Sequence, residues 1–179
     1  NKYIPDMKKY VSGTGSPMYY AARIAKEKYP DAKIVFVGPC VAKRKEAQRD
    51  EAVDFVMTFE EVSSIFDAFE VNLEIVQPYA MEFSSVREAH GFAQAGGVMG
   101  AVKAFLKMEA DKINAIQVSD LNKKNIGTLR AYAKSGKAPG QFIEVMACEG
   151  GCITGPSTHS GSNGKRQLVQ ELAKQEKTY

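Results

Sequence analysis

The spacing of apolar residues switches repeatedly between a helical and an extended period, and this alternation constrains the fold more than any other feature of the chain. Ser16-Pro17 reads as a helix start, and in MYYAARIAKEKYP the apolar Tyr20, Ile24 and Tyr29 follow near-helical spacing until Pro30 ends it. The next stretch carries the continuous run Ile34-Val35-Phe36-Val37, bounded by Asp31 and Gly38-Pro39, which predicts a strand buried on both faces. AVDFVMT (52–58) predicts a second strand, and Thr58-Phe59-Glu60-Glu61 resembles a capping box opening a helix over 59–70. Residues 71–90, interrupted by Pro78 and polar side chains, read as a loop or excursion. AQAGGVMGAVKAFLKME (93–109) then predicts a helix whose small residues pack its first turn close to something. INAIQVSD (113–120) and QFIEVMAC (141–148) are further strands, separated by a helix over 121–134 and a turn over 136–140, and GKRQLVQELAKQEK (164–177) closes the chain as a helix. Strands alternating with helices in this way imply an α/β fold, with mostly parallel sheet and flanking helices, as one body or two lobes.

Composition narrows the function classes. The chain has 179 residues, of which 44% are hydrophobic and 25% charged, enough to bury a substantial core. No apolar run approaches the roughly 20 residues a membrane helix needs, and NKYIPDMKKY at the start has no signal-peptide hydrophobic region. A cytoplasmic protein is expected, with no membrane partner. The net charge of +3 comes from 24 basic and 21 acidic residues scattered along the chain, so nucleic acid is not an expected partner either. The opening lies inside an amphipathic segment rather than at a methionine, which suggests a piece of a longer protein with further cysteine upstream.

Three cysteines cannot close a disulfide framework, so reduced thiols are the simpler reading. Cys40 and Cys148 each fall just past the C-terminal end of a predicted strand, in IVFVGPC and FIEVMAC, where ligands bind in open α/β sheets. Cys152 follows in Cys148-x-x-x-Cys152, with Gly150 and Gly151 between. On spacing alone three alternatives stand: packing residues, a zinc set completed by His159, or iron–sulfur ligands. The three-residue separation is unusual for a structural zinc knuckle. A cubane cluster needs four thiolates, one more than the chain holds. Lys43, among Arg44 and Lys45, reads by itself as a solvated helix lysine, and nothing pairs His90 with His159.

Three blocks in this order, GPCVAKRKE (38–46), FAQAGGVMGA (92–101) and EVMACEGGCITG (144–155), resemble the C-terminal domain of the iron-only hydrogenase large subunit, which carries the H-cluster. The resemblance runs from Tyr10 to about Pro156 and implies that residues 1–179 are part of such a domain, with any lobes flanking the cluster site. It implies a 4Fe-4S cluster joined through a shared thiolate to a two-iron centre bearing CO, cyanide and a bridging dithiolate, present in the intact protein and absent from this piece alone. By motif position Cys40 and Cys148 would ligate the cubane, and Cys152 would ligate it while bridging to the two-iron centre. Lys43 would hydrogen-bond a cyanide, Met146 would line the pocket, and Ser12 falls at a proton-path serine. Gly38, Pro39, Phe92, Gly96, Gly97, Gly150 and Gly151 would lie against the cofactor. Upstream iron–sulfur domains, a ferredoxin-type electron donor and a signalling domain are the implied partners.

The departures from the family pattern matter as much. The first signature, T-S-C-x-P-x-W, which supplies the fourth cubane cysteine, is absent. Gly38 stands where catalytic members have methionine, Met18 where glutamine is expected, and Gly155-Pro156-Ser157 where they continue G-G-G-Q-P. These changes resemble the sensory branch, so the expectation is reversible H2 oxidation and proton reduction used for hydrogen sensing rather than bulk turnover. The alternative is a non-catalytic iron–sulfur assembly or relay protein of the same fold.

Overall fold

The computed structural model describes residues 3–77, 79, 85–161 and 163–175. The chain divides into two compact units, one formed by Gly13–Ala80 and Gly155–His159, the other by Asn1–Ser12, Met81–Thr154 and Ser160–Tyr179.

The first of these is a small βαβ unit. Helix α1 (Pro17–Lys28) starts where Ser16 accepts a hydrogen bond from the Tyr19 N–H at 3.3 Å, with Pro17 at the first helical position. Strand β1 (Val35–Gly38) runs parallel to β2 (Phe55–Thr58), with Val35 opposite Phe55 and Gly38 opposite Thr58, and the short helix α2 (Ala42–Ala47) joins them. Met18, Ala22 and Val53 form the core, and Ile34, Phe36, Ala47, Ala52 and Val56 pack against it. Helix α1 therefore presents Met18 and Ala22 inward, and the stripe expected to be apolar-facing, Tyr20, Ile24 and Tyr29, is exposed. The expectation of a strand buried on both faces also needs correcting. Phe36 packs on the core, while Val35 and Val37 are 45% and 40% exposed, because the core gathered by α1 and α2 lies on the Phe36 side of the strand.

Two carboxylates tie this unit together. Asp54 accepts from the Ile34 N–H at 2.8 Å and from Lys33 Nζ at 2.9 Å, fastening the two strand starts. Asp50, buried, accepts from Arg23 at 2.9 and 3.0 Å and from the Ala52 N–H at 3.2 Å, joining α1 to the loop before β2. The capping box is present as expected: Thr58 Oγ1 accepts from the Glu61 N–H at 3.2 Å, and Glu61 Oε2 accepts from the Thr58 N–H at 2.8 Å. It opens α3 (Phe59–Ala68), two residues shorter than the sequence suggested. The excursion expected over 71–90 lies partly outside the described residues.

In the second unit a single turn, α4 (Arg87–His90), and a 3-10 turn (Gly91–Ala93) lead to α5 (Gly97–Leu106). The helix begins four residues later than its small-residue prelude suggested. Gly96, with φ of +88°, makes the bend, and a Cβ built on Gly97 would lie 1.9 Å from the Gly91 carbonyl oxygen. This backbone-on-backbone contact is the close packing the sequence implied. Strand β3 (Ala115–Ser119) pairs in parallel with β4 (Phe142–Met146), Ala115 opposite Phe142 and Ser119 opposite Met146, and α6 (Lys123–Ser135) connects them. Asn122 caps α6 by accepting from the Asn125 N–H at 2.9 Å, and Gly136 at φ +66° ends it. Ala101, Val118, Leu129 and Ala133 are buried, and α7 (Asn163–Ala173) completes the unit. Two short parallel sheets with flanking helices are thus the α/β class read from the sequence.

Candidate functional site

Strand β4 delivers Cys148 two residues past its end, into a turn fastened on several sides. The Leu121 N–H donates to the Ala147 carbonyl at 3.2 Å. Ser119 Oγ accepts from the Gly150 N–H at 3.0 Å and donates to the Cys148 carbonyl at 3.4 Å. The Gly151 N–H closes the turn on the Cys148 carbonyl at 3.2 Å, and the Ala95 N–H reaches across to the Gly150 carbonyl at 2.9 Å. Thr154 Oγ1 donates to the Gly151 carbonyl at 3.0 Å and also contacts the Glu149 carbonyl. Cys152 opens a 3-10 turn, Cys152–Thr154, on the surface, whereas Cys148 is half-buried.

Gly150 and Gly151 have φ of +80° and +97°, which favours glycine at both positions. A Cβ on Gly151 would fall 2.5 Å from the Ala95 nitrogen and 2.7 Å from the Gln94 carbonyl carbon. The neighbour that leaves no room for a side chain in this structure is therefore the protein's own backbone at 94–95. Phe92, Gly96 and Gly97 belong to the same neighbourhood, as residues flanking that bend.

Sequence reasoning missed Glu144. It sits on β4, 5% exposed, and its carboxylate accepts from the Gly96 N–H at 2.6 Å and the Met99 N–H at 2.7 Å, the groups that open α5. Helix-opening N–H groups lack intrahelical partners, and a carboxylate there is favoured by hydrogen bonding and by the helix dipole. The signal was one acidic residue inside the apolar run FIEVM. Met146 lies two residues on, hence on the same side of the strand as Glu144, and is half-buried.

The other unit carries Cys40 in the equivalent position, two residues beyond the end of β1. Cys40 is half-buried, and its carbonyl accepts from the Lys43 N–H at 3.3 Å at the entrance to α2, a helix of only six residues. Lys43 Nζ lies 2.6 Å from Glu46 Oε2. Glu46 also accepts from the Ser16 hydroxyl. Burial pushes the Glu46 carboxyl up, but the Lys43 and Ser16 hydrogen bonds outweigh it and hold it below its ordinary value. Pro39 accepts from the Ser157 N–H at 3.3 Å, so the departing segment Gly155-Pro156-Ser157 rests on the Cys40 loop. At Gly38 a Cβ would meet the Phe36 ring at 2.6 Å. Met18, at the departing glutamine position, is a core residue. Ser12 is exposed.

One unit thus gathers Gly38, Pro39, Cys40 and Lys43. The other gathers Phe92, Gly96, Gly97, Met146, Cys148, Gly150, Gly151 and Cys152. Among the described residues no group of three or more His, Cys, Asp or Glu side chains is close enough to hold a metal ion. The donor chemistry nevertheless fits an iron–sulfur cluster: three thiols, none in a disulfide, each past the carboxyl end of a parallel strand, two of them on a hydrogen-bonded glycine turn.

The chain belongs to the family described as "Iron only hydrogenase large subunit, C-terminal domain", whose model matches residues 1–156. Among curated proteins it is similar to "Cytosolic Fe-S cluster assembly factor narfl" of Danio rerio, 27% identical over 93% of this chain and 54% of that protein. It is also similar to "Nuclear prelamin A recognition factor" of Danio rerio, 27% identical over 77% of this chain and 39% of the relative. "Iron hydrogenase 1" of Clostridium pasteurianum is 28% identical over 86% of this chain and 34% of the relative. The chain therefore spans about half, or less, of the length of these relatives. Among solved structures, one titled for oxygen inactivation of an FeFe hydrogenase superposes with a TM-score of 0.67 at 21% identity, covering 98% of this chain and 62% of that one. The FeFe hydrogenase HydA1 of Chlamydomonas reinhardtii, in a variant form, gives 0.66 at 20% identity, covering 98% and 64%. These likenesses establish the fold. No helix among the described residues is long and apolar enough to cross a membrane.

Proposed function

We propose that this chain is a cluster-holding domain of the hydrogenase family that works in iron–sulfur cluster assembly or relay, in the cytoplasm, rather than in fast hydrogen turnover. The observation that carries the reading is at Gly38. The catalytic pattern has methionine there, and in this chain the edge of the Phe36 ring lies 2.6 Å from where a Cβ would sit, so a side chain at 38 would require that ring to shift. Similarity to cytosolic Fe-S assembly factors over most of the chain supports the same conclusion. In this role the half-buried Cys40 and Cys148 anchor the cluster, and the exposed Cys152 is the thiol a receiving protein reaches first. A fourth ligand comes from an upstream segment or a partner.

Hydrogen chemistry is the second reading, favoured by Lys43. Its ammonium is held by Glu46 at 2.6 Å, yet has three donors, so N–H remains for an anionic ligand such as cyanide. An H-cluster bound there would supply the redox chemistry, in a sensing rather than a producing role. Ser12 would serve proton movement, and a ferredoxin-type donor and a signalling domain would be its partners. The chain's own contribution would be thiolates, the Lys43 donor and Met146 beside Cys148.

The two readings separate by experiment. Anaerobic reconstitution with iron and sulfide, followed by an apo-ferredoxin acceptor, is expected to transfer the cluster. Failure to transfer, together with infrared bands of CO and cyanide that respond to H2 in protein co-expressed with hydrogenase maturation proteins, would overturn the relay reading in favour of the second.

A further inference from the structure

We propose that Glu144 is a positioning residue that sets the Cys148–Cys152 thiols through the glycine-rich bend at 94–97. The coupling stands on the geometry of one unit, and what the thiols hold rests on the cluster-holding reading above. The Glu144 carboxylate grips the bend from β4 through the Gly96 and Met99 N–H groups at 2.6 and 2.7 Å. Further along the same segment the chain touches the bend again: the Gly150 carbonyl accepts from the Ala95 N–H at 2.9 Å, and Gly151 packs against the Gln94 and Ala95 backbone with no room for a Cβ. Cys148 lies between these two contacts.

The carboxylate and the N–H groups it holds depend on each other. A buried carboxylate is costly to keep unless it is hydrogen-bonded, and the opening N–H groups of α5 satisfy it. Those N–H groups in turn are held at one place relative to β4 by the carboxylate. If Glu144 is removed, the bend is free to move, and the Cys148 turn that rests on it moves with it. Ser119 ties the turn to β3 independently, through Gly150 N–H and the Cys148 carbonyl, so the loop shifts rather than unfolds. The thiol spacing is thus set by a residue four positions before Cys148 whose side chain is hydrogen-bonded to a different segment.

The test uses Glu144→Ala and Glu144→Gln in the full chain. Iodoacetamide labelling under native, reducing conditions is expected to run at least about tenfold faster at Cys148 in Glu144→Ala, since two charged hydrogen bonds are lost from the bend against which the Cys148 turn is held at Gly150 and Gly151. Glu144→Gln, which keeps one acceptor oxygen, should fall between, and Cys40 in the other unit should be unchanged. Amide hydrogen exchange provides the readout that a general loss of stability would not reproduce: faster exchange confined to 94–99 and 148–151, with β3 and α6 unaltered. Exchange rising equally through β3 and α6, or Cys148 labelling equal to wild type, overturns the proposal. In the reconstituted protein the electron paramagnetic resonance signature should change in Glu144→Ala. A wild-type chain that takes up no cluster would defeat the cluster-holding reading, and labelling and exchange would still decide the role of Glu144.

Discussion

Adding one methyl group at Gly151 is expected to unseat the turn between Cys148 and Cys152. Gly151 has φ of +97°, and the new Cβ would lie 2.5 Å from the Ala95 nitrogen, 2.7 Å from the Gln94 carbonyl carbon and 2.8 Å from the Ala93 oxygen. All three neighbours are backbone atoms, which cannot rotate aside as a side chain would. Holding a non-glycine residue at such a φ costs about 1–3 kcal/mol. Moving the turn away also strains the Ala95 N–H bond to Gly150, a loss of roughly 1 kcal/mol. The sum, about 2–4 kcal/mol, would lower a urea midpoint by about 1–2 M at a slope near 2 kcal/mol/M. Gly136→Ala is the control, because Gly136 has φ of +66° with nothing within 4 Å of its built Cβ. Its cost is the left-handed backbone alone, about 1 kcal/mol, or roughly 0.5 M of midpoint. Urea unfolding followed by circular dichroism measures both. Equal shifts for the two alanines would refute the argument that the 94–95 backbone fixes the turn.

Three further outcomes are expected. Asp54 has its carboxyl lowered to about 2, first by the Ile34 N–H, then by Lys33 and Lys26. A folded value below the ordinary 3.8 means its stabilisation is present above that pH and is lost as pH falls from 3.8 toward about 2. Acid unfolding of wild type should therefore contain a component in that window that Asp54→Asn lacks, and superimposable profiles would contradict it. Thr58→Ala removes one half of the capping box and should cost about 1 kcal/mol of stability in thermal or urea melts, with a loss below a few tenths counting against it. Cys148→Ser and Cys152→Ser should each reduce iron retained after anaerobic reconstitution to background while leaving far-ultraviolet circular dichroism unchanged, and undiminished iron in both would remove the turn from the site.

What the sequence by itself determined is local. Ser16-Pro17, the Thr58–Glu61 capping box and Gly136 each act within a few residues, so they marked helix ends correctly without knowledge of anything distant. The change of apolar period located the four strands found among the described residues, and with them the fact that Cys40 and Cys148 follow strand ends. The candidate site was legible to that extent, because a cysteine motif and its flanking glycines are contiguous.

Tertiary structure decided which faces are inside and what the glycines are for. Met18 and Ala22, not Tyr20 and Ile24, face the core that Phe36 and Val56 pack against, and the exposed Tyr20 instead accepts a hydrogen bond at its hydroxyl from the Gly15 N–H at 3.4 Å. Gly97 and Gly151 are required by backbone segments elsewhere in the chain, at Gly91 and at 94–95, which no spacing rule reveals. Glu144 shows the same limit most clearly. A lone carboxylate in an apolar strand reads locally as a fault, and only the arrival of the α5 N-terminus, 45 residues earlier in the chain at Met99, supplies the hydrogen bonds that make its burial stable.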